Sequence, residues 1–118
     1  LCRLGLTGVG CDIDPQAVWC ATENLRLNNV GEALRLVVGG LGCLADGTVF
    51  DIVAANILAA PLAALAGRIS RHVAPGGMLV LSGILTTQAA DVAAAYRSAG
   101  LSEPKTRISG EWASLVWQ

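Results

Sequence analysis

Two apolar segments, Gly8-Val-Gly-Cys-Asp-Ile-Asp-Pro-Gln and Phe50-Asp-Ile-Val-Ala-Ala-Asn-Ile-Leu, each stop on one polar residue, Asp12 in the first and Asn56 in the second. Buried parallel strands read as near-continuous apolar runs, and ligands bind where such strands end. A carboxylate and a carboxamide are therefore expected at one rim of a parallel sheet, around a small molecule. The chain opens at Leu1 without a methionine. The strand and glycine-rich turn that such a sheet ordinarily needs first are expected to be missing.

The 118 residues are 53% hydrophobic and 14% charged, and the mean hydropathy is +0.57. Disorder needs the opposite balance, and this length suits one domain or part of one. The longest uncharged apolar run lies between Asp51 and Arg68 and contains Asn56 and Pro61. It is shorter than the roughly 18 to 20 residues of a membrane span. It reads as a buried strand followed by a helix, and no membrane partner is expected. A net charge of −1, with cations in no run, advertises no basic surface for nucleic acid. Cys2, Cys11, Cys20 and Cys43 form no C-x-x-C pair, and the single His72 completes no usual zinc set, so no metal is expected. The cysteines read as free, largely buried thiols in a reducing cytosol. No signal peptide is visible.

Residues 7–12 read as a strand, and Asp14-Pro15 announces a helix. Asp14 can cap exposed amide groups, and Pro15 at the first helical position loses no hydrogen bond. Ala17, Val18, Ala21 and Leu25 recur at helical spacing until Asn28-Asn29-Val-Gly31 ends the run. Residues 33–38 form a second strand closed by Gly39-Gly40, and residues 51–55 a third after the Asp46-Gly47 loop. The spacing predicts a helix over 58–73 with Leu58, Leu62, Leu65 and Ile69 on one face, then a Pro75-Gly76-Gly77 turn and a strand over 78–81. Thr86 or Thr87 caps a further helix, with Ala89, Val92 and Tyr96 inward, that ends at Gly100. Residues 105–109 and 112–117 are strands separated only by Gly110-Glu111. Such closeness forces an antiparallel hairpin, because parallel strands need a crossover of about a dozen residues. The order β-α-β-β-α-β-α-β-β gives an α/β layered sheet with an antiparallel edge.

An α/β chain that ends in a hairpin after its last helix resembles the Rossmann-like class I methyltransferase fold. Local residues carry the likeness further. Cys11-Asp-Ile-Asp-Pro-Gln-Ala-Val, then Asn24 and Asn28, Asp51-Ile-Val-Ala-Ala-Asn-Ile-Leu, Pro75-Gly-Gly, Ser82-Gly-Ile-Leu and Gly110-Glu-Trp occur in one order along nearly the whole chain. Together they resemble the PrmA family, which methylates a large-subunit ribosomal protein using S-adenosylmethionine. Pro-Gly-Gly is common to many methyltransferases. The combination of Asn-Ile-Leu, Ser-Gly-Ile-Leu and the closing Gly-Glu-Trp is far more specific. The resemblance implies a cytoplasmic N-methyltransferase acting on lysine or terminal amines, with a ribosomal protein as substrate and no direct nucleic-acid contact. It assigns no oligomeric state.

It also implies roles for single positions. Asp12 would accept hydrogen bonds from the two ribose hydroxyls of S-adenosylmethionine, since a carboxylate offers only acceptor lone pairs. The alternative is a helix cap, for which Asp14 is better placed. The turn Gly39-Gly40-Leu41 would approach the adenine edge, with Gly40 and Leu41 as contacts, because a glycine allows close backbone approach; a plain turn is the other reading. Asn56 would lie beside the transferred methyl group, binding cofactor and orienting the amine, or else cap the next helix. Ser82, Gly83 and Ile84 would line the substrate channel or serve as turn residues. His72 near a helix end is given no catalysis, and Trp112 and Trp117 read as hairpin packing.

Two parts of the family pattern have no counterpart here: a separate N-terminal domain that recognises the ribosomal protein, and the first strand with its Gly-x-Gly-rich turn. The expected architecture is thus a single partial catalytic domain over residues 1–118. The absent strand would lie between the Asp12 and Asn56 strands and leave a gap of roughly 10 Å, given a strand spacing of about 4.8 Å. Such a chain is expected to bind S-adenosylmethionine poorly and to be inactive or impaired by itself. Two rival readings stand beside the enzyme. One is a catalytically silent scaffold or interaction module, favoured by the missing turn and opposed by the retained Asp12 and Asn56. The other is a dinucleotide-binding oxidoreductase, which an acidic strand end also suits but the terminal hairpin opposes.

Overall fold

The structure, a computed structural model, describes residues 2–118. The chain forms two compact units, Leu1–Asp46 and Gly47–Gln118. In the first, a short 3₁₀ turn (Cys2–Leu4) precedes β1 (Gly8–Asp12), α1 (Pro15–Leu27), β2 (Leu34–Val38) and a second 3₁₀ turn at Leu41–Cys43. β1 and β2 pair in parallel, Gly8 opposite Leu34 through Asp12 opposite Val38. Helix α1 begins where its sequence demands: the Asp14 carboxylate accepts the Gln16 N–H at 2.8 Å, and Pro15 occupies the first turn. It ends at Asn28, and Asn29 then takes a left-handed φ of 54°, a conformation that asparagine tolerates.

A two-stranded sheet with one covering helix has little interior. None of the described residues of this unit is fully buried, and Leu4, Ile13 and Trp19 are largely exposed. The cysteines are free, as expected, but the expectation of buried thiols fails. Cys2 is half-buried, and Cys11, Cys20 and Cys43 are exposed. The unit has no core to take them.

The second unit contains β3 (Phe50–Asn56), α2 (Ala59–Ala64), α3 (Ala66–Arg71), β4 (Val73–Leu85), α4 (Ala89–Ser98), β5 (Lys105–Ser109) and β6 (Trp112–Trp117). Its sheet runs in the order β3-β4-β6-β5. β3 and β4 are parallel, while β6 is antiparallel to both β4 and β5. The hairpin bounds match the sequence reading. Its position is more specific than an antiparallel edge, because β6 is internal and β5 forms the margin. The core gathers Leu62, Ala66 and Ile69 of α2 and α3, Leu79, Leu81 and Ile84 of β4, Val92 and Tyr96 of α4, and Ala113, Leu115 and Trp117 of β6. Alternation along β6 explains its share: Ala113, Leu115 and Trp117 face inward at period two.

Three local expectations change. The single helix over 58–73 is broken at Leu65, whose φ is −94° and ψ 3°. The Leu65 carbonyl accepts from both Arg68 and Ile69 N–H, each at 2.9 Å, a tightening that comes just before Gly67, a poor helix former. Leu58, placed by periodicity on the buried face, precedes the helix and is 75% exposed. Pro75-Gly76-Gly77 is not a turn between elements but an excursion within β4. Five steps from Val73 to Met78 oppose two from Phe50 to Ile52. Gly76 adopts a φ of +76°, and a Cβ on Gly77 would lie 2.9 Å from the Ala74 carbonyl and 3.0 Å from that of Asp51. Backbone this close fits only glycine.

The final helix begins after a 3₁₀ turn at Thr86–Gln88, where Gln88 Oε1, rather than either threonine hydroxyl, accepts the Leu85 N–H at 3.2 Å. Trp117 packs as expected: its indole N–H donates to the Ser102 carbonyl at 2.8 Å, and its ring lies 5.1 Å from that of Tyr96. Trp112 is 54% exposed and does not share that packing, since its place in the alternation points it away from the core.

Candidate functional site

In the first unit the candidate residues meet at the carboxyl ends of two adjacent parallel strands. Asp12 closes β1 opposite Val38, and the Gly39 N–H donates to the Asp12 carbonyl at 2.8 Å. The acidic residue and the glycine turn are thereby one structural piece. One carboxylate oxygen of Asp12 accepts the Asp14 N–H at 2.9 Å, which fixes the side chain against its own loop. The other has no hydrogen bond among the described residues. Asp14 takes the helix cap, so the competing use of Asp12 as a cap does not hold.

Gly40 is exposed and precedes the 3₁₀ turn that Leu41 begins; its carbonyl accepts the Cys43 N–H at 3.0 Å. Among the described residues, a Cβ on Gly40 would meet only Ile13, at 3.9 Å. Ile13 is itself 80% exposed, so backbone and an apolar side chain are accessible side by side. Beside it, although Cys11 is exposed as a residue, local desolvation of its thiol pushes the pKa up from its ordinary value, helped by the neighbouring Cys43 thiol and then by the Asp12 carboxylate.

In the second unit Asn56 closes β3 opposite Ser82 of β4. It is exposed. The cap position of α2 belongs to Leu58, without a side-chain hydrogen bond, so Asn56 does not cap the helix either. Its carboxamide makes no hydrogen bond among the described residues. The two residues that follow, Ile57 and Leu58, are 41% and 75% exposed. They form an apolar lip beside a free amide. Periodicity concealed this lip, because Leu58 falls in step with Leu62 and Ile69; the Asn-Ile-Leu motif was the signal that pointed the other way.

Of the three β4 residues expected along a channel, Ser82 and Gly83 are half-buried beside Asn56. Ile84 is fully buried and pairs with Ala113, so its side chain belongs to the core. His72 ends α3, and its Nδ1 lies 2.7 Å from the Thr48 carbonyl while its own carbonyl accepts the Phe50 N–H. That histidine ties a loop to a strand.

A parallel β-α-β arrangement whose last strand is inserted antiparallel between its two predecessors, with polar groups at strand ends, defines the class I methyltransferase architecture. Solved structures agree. A ribosomal protein L11 methylase from Lactobacillus delbrueckii subsp. bulgaricus superposes with a TM-score of 0.83 at 27% identity, over 93% of this chain and 56% of that one. An RNA methyltransferase from Salinibacter ruber in complex with S-adenosyl-L-homocysteine shares the fold, with a TM-score of 0.69 at 22% identity, over 96% of this chain and 65% of that one. The particular family follows from sequence. The chain belongs to the family described as Ribosomal protein L11 methyltransferase (PrmA), which it matches over residues 3–118. A curated relative of that name from Bradyrhizobium diazoefficiens is 49% identical over 109 residues, or 89% of this chain. The chain spans 37% of that relative's length.

Proposed function

We propose that this protein takes part in the S-adenosylmethionine-dependent N-methylation of a lysine or terminal amine on a large-subunit ribosomal protein, in the cytoplasm. The observation that carries the reading is that Asp12 and Asn56, the polar residues ending β1 and β3, are both relieved of helix capping. In a chain of this family, neither has a local structural duty that accounts for it fully.

The donor set fits the cofactor. Asp12 presents one braced and one free carboxylate oxygen, the acceptor-only chemistry that a ribose diol requires. Gly40 and Leu41 offer accessible backbone and an apolar side chain for an adenine ring. When bound, S-adenosylmethionine supplies an electrophilic methyl group. The substrate amine would have to attack as the free base, its new nitrogen–carbon bond replacing the carbon–sulfur bond of the donor, whose sulfur would leave as a neutral thioether. A free lysine has a pKa of about 10.4, and desolvation favours its neutral form. Ile57 and Leu58 supply that apolar contact, and the Asn56 carboxamide can accept a hydrogen bond from the amine and aim its lone pair. Positioning of this kind can supply roughly 7 to 11 kcal/mol, so no acid–base dyad is needed.

The test pairs binding with transfer. Ligand-observed NMR with S-adenosylmethionine at millimolar concentration should show contact that Asp12→Asn weakens. Labelled methyl groups should then appear on amines of the ribosomal protein and disappear with Asn56→Ala. Absence of cofactor contact at that concentration, or transfer that survives both substitutions, would overturn the reading.

A further inference from the structure

Gly83 follows the residue that pairs with Asn56, and its φ is +75°. A Cβ placed on it would collide with Asn56 Oδ1 and stand 3.4 Å from Asn56 Cγ, yet keep an ordinary 3.7 Å from the Ile57 carbonyl. The colliding atom is the end of a rotatable side chain, whereas the nearby backbone has room. An added methyl would therefore turn the carboxamide away and leave β3 and β4 in register. Gly76, in the same strand, supplies an internal comparison. Its φ is +76°, but none of the described residues beyond its chain neighbours lies within 4 Å of its Cβ site. The two glycines make the same backbone demand, and of the two only Gly83 has a side chain of the described residues in its Cβ space.

We propose that the empty Cβ position of Gly83 sets the direction of the Asn56 carboxamide, making Gly83 a positioning residue for the group that orients the amine. The proposal rests on the methyl-transfer reading of Asn56 and deepens it. No hydrogen bond to the described residues holds that carboxamide, and its present rotamer occupies the space that a Gly83 side chain would fill. Gly83 acts through Asn56 and need not touch substrate.

Four variants test this: Gly83→Ala, Gly76→Ala, Asn56→Ala, and the Asn56→Ala/Gly83→Ala double. Nitrogen-edited NMR reads the Asn56 side-chain amide, and steady-state kinetics read kcat and KM separately. Gly83→Ala should move the Asn56 amide resonances and lower kcat by about tenfold or more with KM for the cofactor unchanged, since small misplacements near the reacting atoms are costly in rate. Gly76→Ala should do neither. In the Asn56→Ala background, Gly83→Ala should lower kcat no further. Should alanine at position 83 prevent folding, Gly83→Asn tolerates positive φ better and makes the same collision. Unmoved Asn56 resonances in the folded variant, or an equal loss of kcat with and without the carboxamide, overturn the proposal. If the unsubstituted protein transfers no methyl group, the methyl-transfer reading fails alone, and the amide resonances still decide whether Gly83 positions Asn56.

Discussion

The Gly39 N–H donates to the Asp12 carbonyl at 2.8 Å, binding the glycine turn after β2 to the acidic end of β1. Next to that bond, two aspartates two residues apart do different work. Asp14 caps a helix, and Asp12 keeps one carboxylate oxygen free. Asp12→Asn preserves the acceptor for the Asp14 N–H but removes the charge that the ribose hydroxyls would meet. Hydrogen bonds to charged groups are worth about 1.5 to 3 kcal/mol, so cofactor affinity should fall by roughly tenfold or more. Asp14→Ala should instead lower stability by about 0.5 to 2 kcal/mol with affinity unchanged. Calorimetry for binding and denaturant unfolding for stability separate the two.

Asn56→Ala removes a group that neither caps α2 nor bonds to the described residues. Surface changes of that kind stay within about 0.5 kcal/mol. Methyl transfer should nevertheless drop by about 100-fold, the scale of losing a positioning contact. An activity loss matched by an equivalent fall in unfolding midpoint would assign Asn56 to the scaffold.

Leu58 and Leu62 stand four residues apart, yet one is 75% exposed and the other fully buried. Leu62→Ala should cost about 2 to 5 kcal/mol through lost burial and the cavity left behind. Leu58→Ala should change stability by no more than about 0.5 kcal/mol. Equal effects on chemical unfolding would contradict the placement of the α2 start.

Tyr96 is fully buried, and its hydroxyl has no hydrogen-bond partner among the described residues. Burial pushes its pKa well above the ordinary tyrosine value. With the folded pKa above the unfolded one, the folded state holds the proton longer. This contribution is complete below about pH 10, the unfolded value, and is lost as pH rises past it. Tyr96→Phe should be neutral or stabilising at neutral pH, because an unpaired polar group is removed. The substitution should also flatten the alkaline decline in stability. A steeper decline in the phenylalanine variant would refute this.

Much of this was readable from residues, for physical reasons that differ by element. The 105–117 hairpin was legible because two residues between strands leave one geometry, and the α1 start because Asp14-Pro15 satisfies the first amides by itself. The helix break at Leu65 and the β4 excursion at Pro75-Gly76-Gly77 were not. Both depend on how the backbone meets a neighbour, which no local pattern encodes. At the candidate site, the identities of Asp12 and Asn56 were visible as polar stops on apolar runs. The collision between Gly83 and Asn56 was not, since it joins residues 27 positions apart.

The placement of β6 between β4 and β5 sets an order of assembly. Strand β5 is synthesised earlier, but among the described residues its only partner in the sheet is β6. A nascent chain leaving the ribosome must keep β5 waiting until its successor has emerged. The terminal hairpin of this unit therefore joins the sheet from its late strand backwards, β5 docking only through the Trp112–Trp117 segment.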